Sequence, residues 1–407
     1  MRAVLVSSLL AAAVVSAVLV GGGAAAPATD PGVTSNEVLI GGTVPLSGEA
    51  ASGGATALGA DAYFKYVNAR GGVNKRKIRY KYVDDAYDPG KTAQETLKLV
   101  VGDKVFAIFN SLGTSQNKAV REYLNAKKVP QLFVASGWSG WGREYRKYPW
   151  TMGFIPTYTA EGKIYARHIL ATRKSAKIAV LYQDDDYGKE LLAGLRKGLG
   201  KRAKQIVSTK SYEPTDPSVQ SQVSALRSSG ANTLMIFAFG TRAIQAFVAV
   251  KKLGWKPRIY VNAVAAATST MQIASTTGQT EGAISIAFFK DPADPRWRAD
   301  KGYKLYRTIM KRYLPGKTLA NGYYMAGMAA AYAMTETLRK AGRNLTRAGL
   351  MRAVTRLNVK DPFALPGVRV KTTPTDRFPI QLAQLERWRG SQSTGRWRPF
   401  GKLVSAG

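Results

Sequence analysis

The residues best suited to chemistry sit in two short polar stretches, 110–116 (Asn-Ser-Leu-Gly-Thr-Ser-Gln) and 136–139 (Ser-Gly-Trp-Ser). They supply hydroxyls, glycines and backbone N–H groups, which suit hydrogen bonding to a small polar solute better than bond making. Each follows an apolar run, residues 105–109 and 130–134, and a helical stretch, 115–128, lies between them. In that stretch Ala119, Val120, Leu124 and Ala126 recur at near-helical spacing. Strand, loop, helix, strand and loop make a right-handed βαβ unit, so both loops leave the carboxyl ends of neighbouring parallel strands. Ligands of open α/β sheets bind there. Thr114 or Ser115 can cap the intervening helix, and the free donors of its first turn favour an anion. The expectation is a half-site for a small polar molecule.

The elements that position these loops recur along the chain. Residues 37–44 read as a buried strand, followed by a turn at 45–48 and a helix with Leu58, Ala62, Tyr63, Tyr66 and Val67 on one face. Gly71-Gly72 stops that helix, and a second strand at 77–83 ends in the acidic turn 84–89. The pattern breaks over 148–158 and then begins again. Strands at 177–182, 205–211, 233–239 and 257–261 alternate with helices. Three helical stretches (297–313, 321–341, 346–357) and tail strands at 368–371 and 378–387 complete the chain. The predicted fold class is α/β, with two doubly wound lobes.

At 407 residues the chain is long enough for two cores. It has no cysteine and one histidine, His168, so disulfides, thiolate chemistry and a multi-histidine metal centre are not expected. No Gly-x-Gly-x-x-Gly follows a strand and no Walker loop occurs, so neither an enzyme nor a cofactor is expected. The net charge of +34 favours polyanions, with an anionic cell-envelope polymer the expected partner. The basic residues are spread along the whole chain without interleaved aromatics, so specific nucleic-acid recognition is not expected. Arg2, an apolar run over 4–20 and Ala24-Ala25-Ala26 describe a secretory signal, residues 1–26, which predicts a location outside the cytoplasmic membrane.

Four stretches carry a family resemblance: Gly42-Thr43-Val44-Pro45-Leu46-Ser47-Gly48, Val67-Asn68-Ala69-Arg70-Gly71-Gly72-Val73, Asp84-Asp85-Ala86-Tyr87-Asp88-Pro89 and Gln183-Asp184-Asp185-Asp186-Tyr187-Gly188. In this order and spacing they resemble the leucine/isoleucine/valine-binding family of type I periplasmic binding proteins. The resemblance spans about Val38 to Arg389. It implies two lobes joined by three crossings near Pro156, Phe288 and Val370. Lobe one would be residues 37–156 plus 290–369, and lobe two 157–289 plus 370–400. It further implies a monomer that passes a small-molecule ligand to an ABC permease and its ATPase, or a ligand-sensing subunit of the same fold.

The ligand contacts implied by the resemblance fall on Ser111, Leu112 and Gly113 after one strand and on Trp138 and Ser139 after the next. Tyr187 and Phe239 face them from the second lobe, with Tyr158 and Glu161 at the crossing. Amino-acid binders of the family also carry an acid after the strand at 257–261. Here the sequence is Asn262-Ala263-Val264-Ala265-Ala266-Ala267, without a carboxylate. Glu161 or one of Asp184, Asp185 and Asp186 would have to substitute. The expected ligand is therefore a branched-chain amino acid or another small carboxylate, amide or aromatic compound.

Overall fold

A computed structural model describes residues 30–390 and 394–406, and the segment read as a signal (1–26) lies outside the described residues. The first strand, β1 (Glu37–Val44), is buried from Val38 onward. Such a continuous run suits a parallel strand covered on both faces. It pairs in parallel with β2 (Lys77–Asp84) on one side and β3 (Ala107–Phe109) on the other, and β4 (Gln131–Val134) and β5 (Thr151–Gly153) extend the sheet. The order is β2-β1-β3-β4-β5. Helices α1 (Ala55–Asn68), α2 (Pro89–Leu97), α3 (Thr114–Ala126) and the single turn α4 (Gly140–Arg143) connect these strands.

The chain then crosses into α5 (Tyr158–Thr172) and repeats the same winding. Strands β6 (Ile178–Gln183), β7 (Ile206–Tyr212), β8 (Thr233–Phe237), β9 (Arg258–Val261) and β10 (Ile284–Ala287) alternate with α6 (Asp186–Leu199), α7 (Gln220–Ser228), α8 (Gly240–Lys252) and α9 (Thr268–Thr277). Their order, β7-β6-β8-β9-β10, matches that of the first sheet. A second crossing leads to α10 (Lys301–Tyr313), α11 (Gly322–Ala341) and α12 (Arg347–Val354). These helices return to the first sheet, where α11 packs on α1. The short pair β11 (Asn358–Val359) and β12 (Val370–Lys371) precedes a third crossing. Strands β13 (Leu382–Arg389), β14 (Arg396–Pro399) and β15 (Val404–Ser405) then add antiparallel to the edge of the second sheet.

The break read at 148–158 contains the three-residue strand β5, which is too short to show a period. Helix α9 was not expected from its sequence. Thr-Ser-Thr-Met-Gln-Ile-Ala-Ser-Thr-Thr has weak helix propensity, and burial of Met271 and Ala274 holds it in place. Among the described residues no helix is long and apolar enough to cross a membrane.

Candidate functional site

The carboxyl ends of both parallel sheets face each other across a cavity of about 170 Å³. Lobe one contributes Tyr87, Leu112, Gly113, Thr114 and Ala135 from its strand ends, with Tyr323 from α11. Lobe two contributes Tyr187, Phe239 and the segment from Ala263 to Thr268. Ile155, Tyr158, Phe288 and Phe289 come from the crossings. Two ring pairs bring these walls together: Tyr158 with Tyr187 at 5.0 Å between centroids, and Tyr87 with Phe239 at 5.9 Å. Apolar walls carrying a few polar atoms are the usual form of a small-molecule site.

Of the residues singled out from sequence, Leu112, Gly113, Tyr158, Tyr187 and Phe239 line this cavity, whereas Ser111, Trp138, Ser139 and Glu161 do not. The backbone donors of Leu112 and Gly113 in the first polar loop are already engaged. Leu112 N–H donates to Thr43 O at 3.1 Å and Gly113 N–H to Ala135 O at 3.3 Å, extending the strand pairing beyond β3. The Ser111 hydroxyl accepts from Thr43 N–H at 2.9 Å. Neither Thr114 nor Ser115 caps α3, whose N-cap is Gly113. Instead the Thr114 hydroxyl pairs with that of Ser136 at 2.7 Å, tying the two loops together. Trp141 Nε1 also donates to Ser136 Oγ at 3.0 Å, so the second loop is braced from behind. The polar loops build the wall, and the aromatic side chains present the surface.

Two left-handed residues aim these loops. Asn110 (φ 51°) and Phe133 (φ 55°) end adjacent strands, and the Asn110 amide donates to Phe133 O at 2.7 Å. A phenylalanine with positive φ is strained and persists only when its surroundings enforce it. The fully buried Phe133 ring packs on Phe109 and Phe154.

The lobes also touch at the rim. Ser139 N–H donates to Glu190 Oε2 at 2.9 Å, and Ser115 Oγ to Asp185 Oδ2 at 3.1 Å. Lys118 pairs with Asp186. On the other flank Arg242 meets Glu49 at 2.8 Å, and Thr241 N–H donates to Glu49 O at 3.0 Å. Trp138 and Ser139 therefore belong to the rim rather than the floor, and the cleft is closed.

Glu161 is 3% exposed, and its Oε1 accepts from Tyr165 Oη at 2.7 Å and Ala263 N–H at 2.6 Å. It anchors the segment after β9 that forms one wall of the cavity. Burial pushes its carboxyl up to about 7, against two hydrogen bonds that favour the ionised form. A carboxyl raised on folding stabilises fully below its unfolded value of 4.5 and loses that contribution as pH rises through about 7. Glu161→Gln keeps the accepting oxygen and removes the charge. It is expected to match the wild type near pH 5 and to exceed it at pH 8 by about 3 kcal/mol. Urea denaturation at both pH values checks this, and equal differences at the two would refute it.

The remaining acids considered from sequence are all engaged. Asp184 pairs with Lys189 at 2.7 Å, and Asp185 caps α6 through Tyr187 and Gly188 N–H. The acids that do line the cavity are Asp291, in the second crossing, and Glu386, on β13. Glu386 could have been noticed as an acid sharing the inward face of its strand with Trp388, both being buried.

The model for the periplasmic binding protein family matches residues 37–394. The chain belongs to this family. Among its relatives, a Leu/Ile/Val-binding protein homolog 7 of Brucella abortus (strain 2308) is 25% identical over 315 residues, covering 75% of this chain and 78% of that one. A branched-chain amino acid ABC transporter structure from Thermus thermophilus, with bound valine, shares 17% identity with a TM-score of 0.80, covering 91% and 97% of the two chains. A fatty acid ABC transporter substrate-binding protein from Thermomonospora curvata shares 22% identity with a TM-score of 0.76, covering 92% and 94%. These two likenesses establish the type I periplasmic-binding-protein fold, while their named ligands are chemically unlike each other.

Proposed function

We propose that this periplasmic binding protein captures a small molecule with a largely apolar body between its lobes, outside the cytoplasmic membrane, and presents the closed form to an ABC permease. The observation that carries this reading is the cavity itself, walled by aromatic rings from both lobes that meet through the Tyr87–Phe239 pair, with Tyr158 of the crossing packed on Tyr187. A ligand touching both walls favours closure by its differential affinity for the closed state, and a permease can read that shape. Branched-chain and aromatic amino acids, their carboxylate analogues and small amides fit the wall chemistry. No bond-making step is assigned, and the protein would release its ligand unchanged.

The test is a thermal-shift screen of the chain from residue 28 onward against these compound classes, followed by small-angle scattering on any hit. A ligand present at 100 times its Kd adds ~2.7 kcal/mol of stability. Capture is supported by a raised midpoint together with a ligand-dependent fall in radius of gyration. A protein unmoved by every class, or one that converts its ligand chemically, would overturn the proposal.

A further inference from the structure

One end of the cavity differs from its aromatic walls. Asp291 and Glu386 both line it there, beside Phe289 and Trp397, where it meets a smaller recess walled in part by Asp294 and Arg296. Glu386 is 5% exposed and lies opposite Ser285 and Pro399 in the antiparallel part of the second sheet, and its carboxyl makes no hydrogen bond or ion pair among the described residues. Asp291 is held in place by Ala293 N–H at 3.0 Å and the Thr268 hydroxyl at 2.7 Å, neither of which carries charge.

The cations nearby are committed elsewhere. Arg296 Nε donates to Asp294 Oδ2 at 2.7 Å. Lys290 turns its ammonium to Asp300 Oδ1 at 2.7 Å and Pro362 O at 2.8 Å. A carboxylate enclosed without a partner is costly, and the ordinary remedies are a proton or a cation. Burial, then the charges of Asp291 and Asp294, hold the Glu386 carboxyl well above the ordinary carboxylate range, and burial pushes Asp291 up to about 6. Two buried acids side by side without a cation of their own make a place that a positive group would stabilise.

We infer that Asp291 and Glu386 form a subsite for the ammonium group of the ligand, whose apolar body lies along the aromatic walls. The inference rests on the capture reading above and narrows its ligand class to amines and amino acids, in preference to simple carboxylates or fatty acids. Phe289 and Trp397 line the cavity beside the acids, and aromatic rings are favourable neighbours for such a cation. A bare metal ion suits the place less well, because no three acidic or histidine side chains among the described residues converge as metal ligands. Asp291 lies in the second crossing and Glu386 on β13, which follows the third, rather than on the strand-end loops of either lobe. An ammonium held there would bear on the hinge itself.

The experiment is calorimetric titration of the full chain with matched compounds: leucine and phenylalanine, their decarboxylated amines, and the corresponding acids lacking the amine, 4-methylpentanoate and 3-phenylpropionate. The same titrations are run on Glu386→Gln and Asp291→Asn. Both replacements keep size and shape and remove a buried charge, and thermal midpoints at or near the wild-type value confirm that they fold. The expected result is that amine-bearing compounds bind at least roughly tenfold tighter than their amine-free counterparts to the wild type, and that each variant loses most of that preference. Amine-free acids binding as tightly as amines, or an amine preference that survives in both variants, would overturn the subsite while leaving capture intact. If none of the compounds binds the wild type, the capture reading for these ligand classes falls, and the subsite falls with it.

Discussion

Gly327→Ala is expected to lower folding stability by about 3 kcal/mol, or more, although alanine is the better helix former. Gly327 lies in the interior of α11, where intrinsic propensity alone would make the substitution stabilising by ~1 kcal/mol. Packing decides the other way. A methyl built on Gly327 would stand 1.9 Å from Thr56 O and 3.0 Å from Ala60 N, both backbone atoms of α1. The contact is reciprocal, since a methyl on Gly59 of α1 would stand 2.1 Å from Tyr324 O. No side chain can swing aside, so the helices must separate and loosen the buried layer of Ala60, Phe64, Met328 and Ala331 between them. Overpacking of this kind typically costs ~1–3 kcal/mol, and an immovable backbone neighbour puts it at the upper end. The control is Gly322→Ala in the first turn of the same helix, whose nearest outside atom lies 4.0 Å away, and it is expected to leave stability unchanged or slightly improved. Urea midpoints for the two variants separate the explanations. Equal or higher stability for Gly327→Ala would mean that the helices are not locked at this crossing. Because Tyr323 and Ala326 of α11 line the cavity, the same variant should also bind ligand less tightly.

The fold was legible where sequence period and burial agree. Strand Glu37–Val44 lies where its apolar run placed it, and helix Gly322–Ala341 matches the helical stretch read at 321–341 to within a residue. The return of the late helices to the first lobe was foreseen only as a consequence of their position after the second lobe. Its cause, the glycine-mediated seat of α11 on α1, depends on contacts about 270 residues apart, which no local pattern records. The site was half legible. Tyr187 and Phe239 follow strands of the second sheet, where topology alone places ligands, and both line the cavity. Ser111 and Ser139 have the right residue types at the right strand ends, but their orientation is set by Thr43 and Glu190, which are distant in sequence, while Trp138 is held by its neighbour Ser136. Asp291 and Glu386 were hidden for a related reason. An acid in a Pro-rich turn and another in a strand with charged neighbours look solvated until the third crossing folds one beside the other.

Tyr187→Phe and Tyr187→Ala should separate the hydroxyl of this residue from its ring. The side chain is 2% exposed and stands in the first turn of α6, where Asp185 accepts from its N–H at 3.0 Å and fixes its direction. Its ring packs edge-on against Tyr158, and its hydroxyl has no hydrogen-bond partner among the described residues. A buried hydroxyl left unpaired costs ~1–3 kcal/mol, so removing it should leave the ligand-free protein as stable or more stable. A ligand that supplies the missing partner loses that bond in the phenylalanine variant, and affinity should fall roughly tenfold. The two effects run in opposite directions, and a merely structural tyrosine would not produce that combination. Alanine removes the ring as well. Deleting a buried aromatic side chain typically costs ~3–5 kcal/mol, shared here between the closed state and the ligand contact. An affinity loss of roughly a hundredfold, ~2.7 kcal/mol, is expected for that variant. Calorimetric titration with the best ligand from the screen, beside urea denaturation of each ligand-free variant, measures both quantities. Wild-type affinity in the phenylalanine variant would assign the unpaired hydroxyl to some role other than ligand contact, and wild-type affinity in the alanine variant would remove Tyr187 from the site. If the predicted split is found, the buried, unpaired hydroxyl of Tyr187 is the one that favours closure around a ligand.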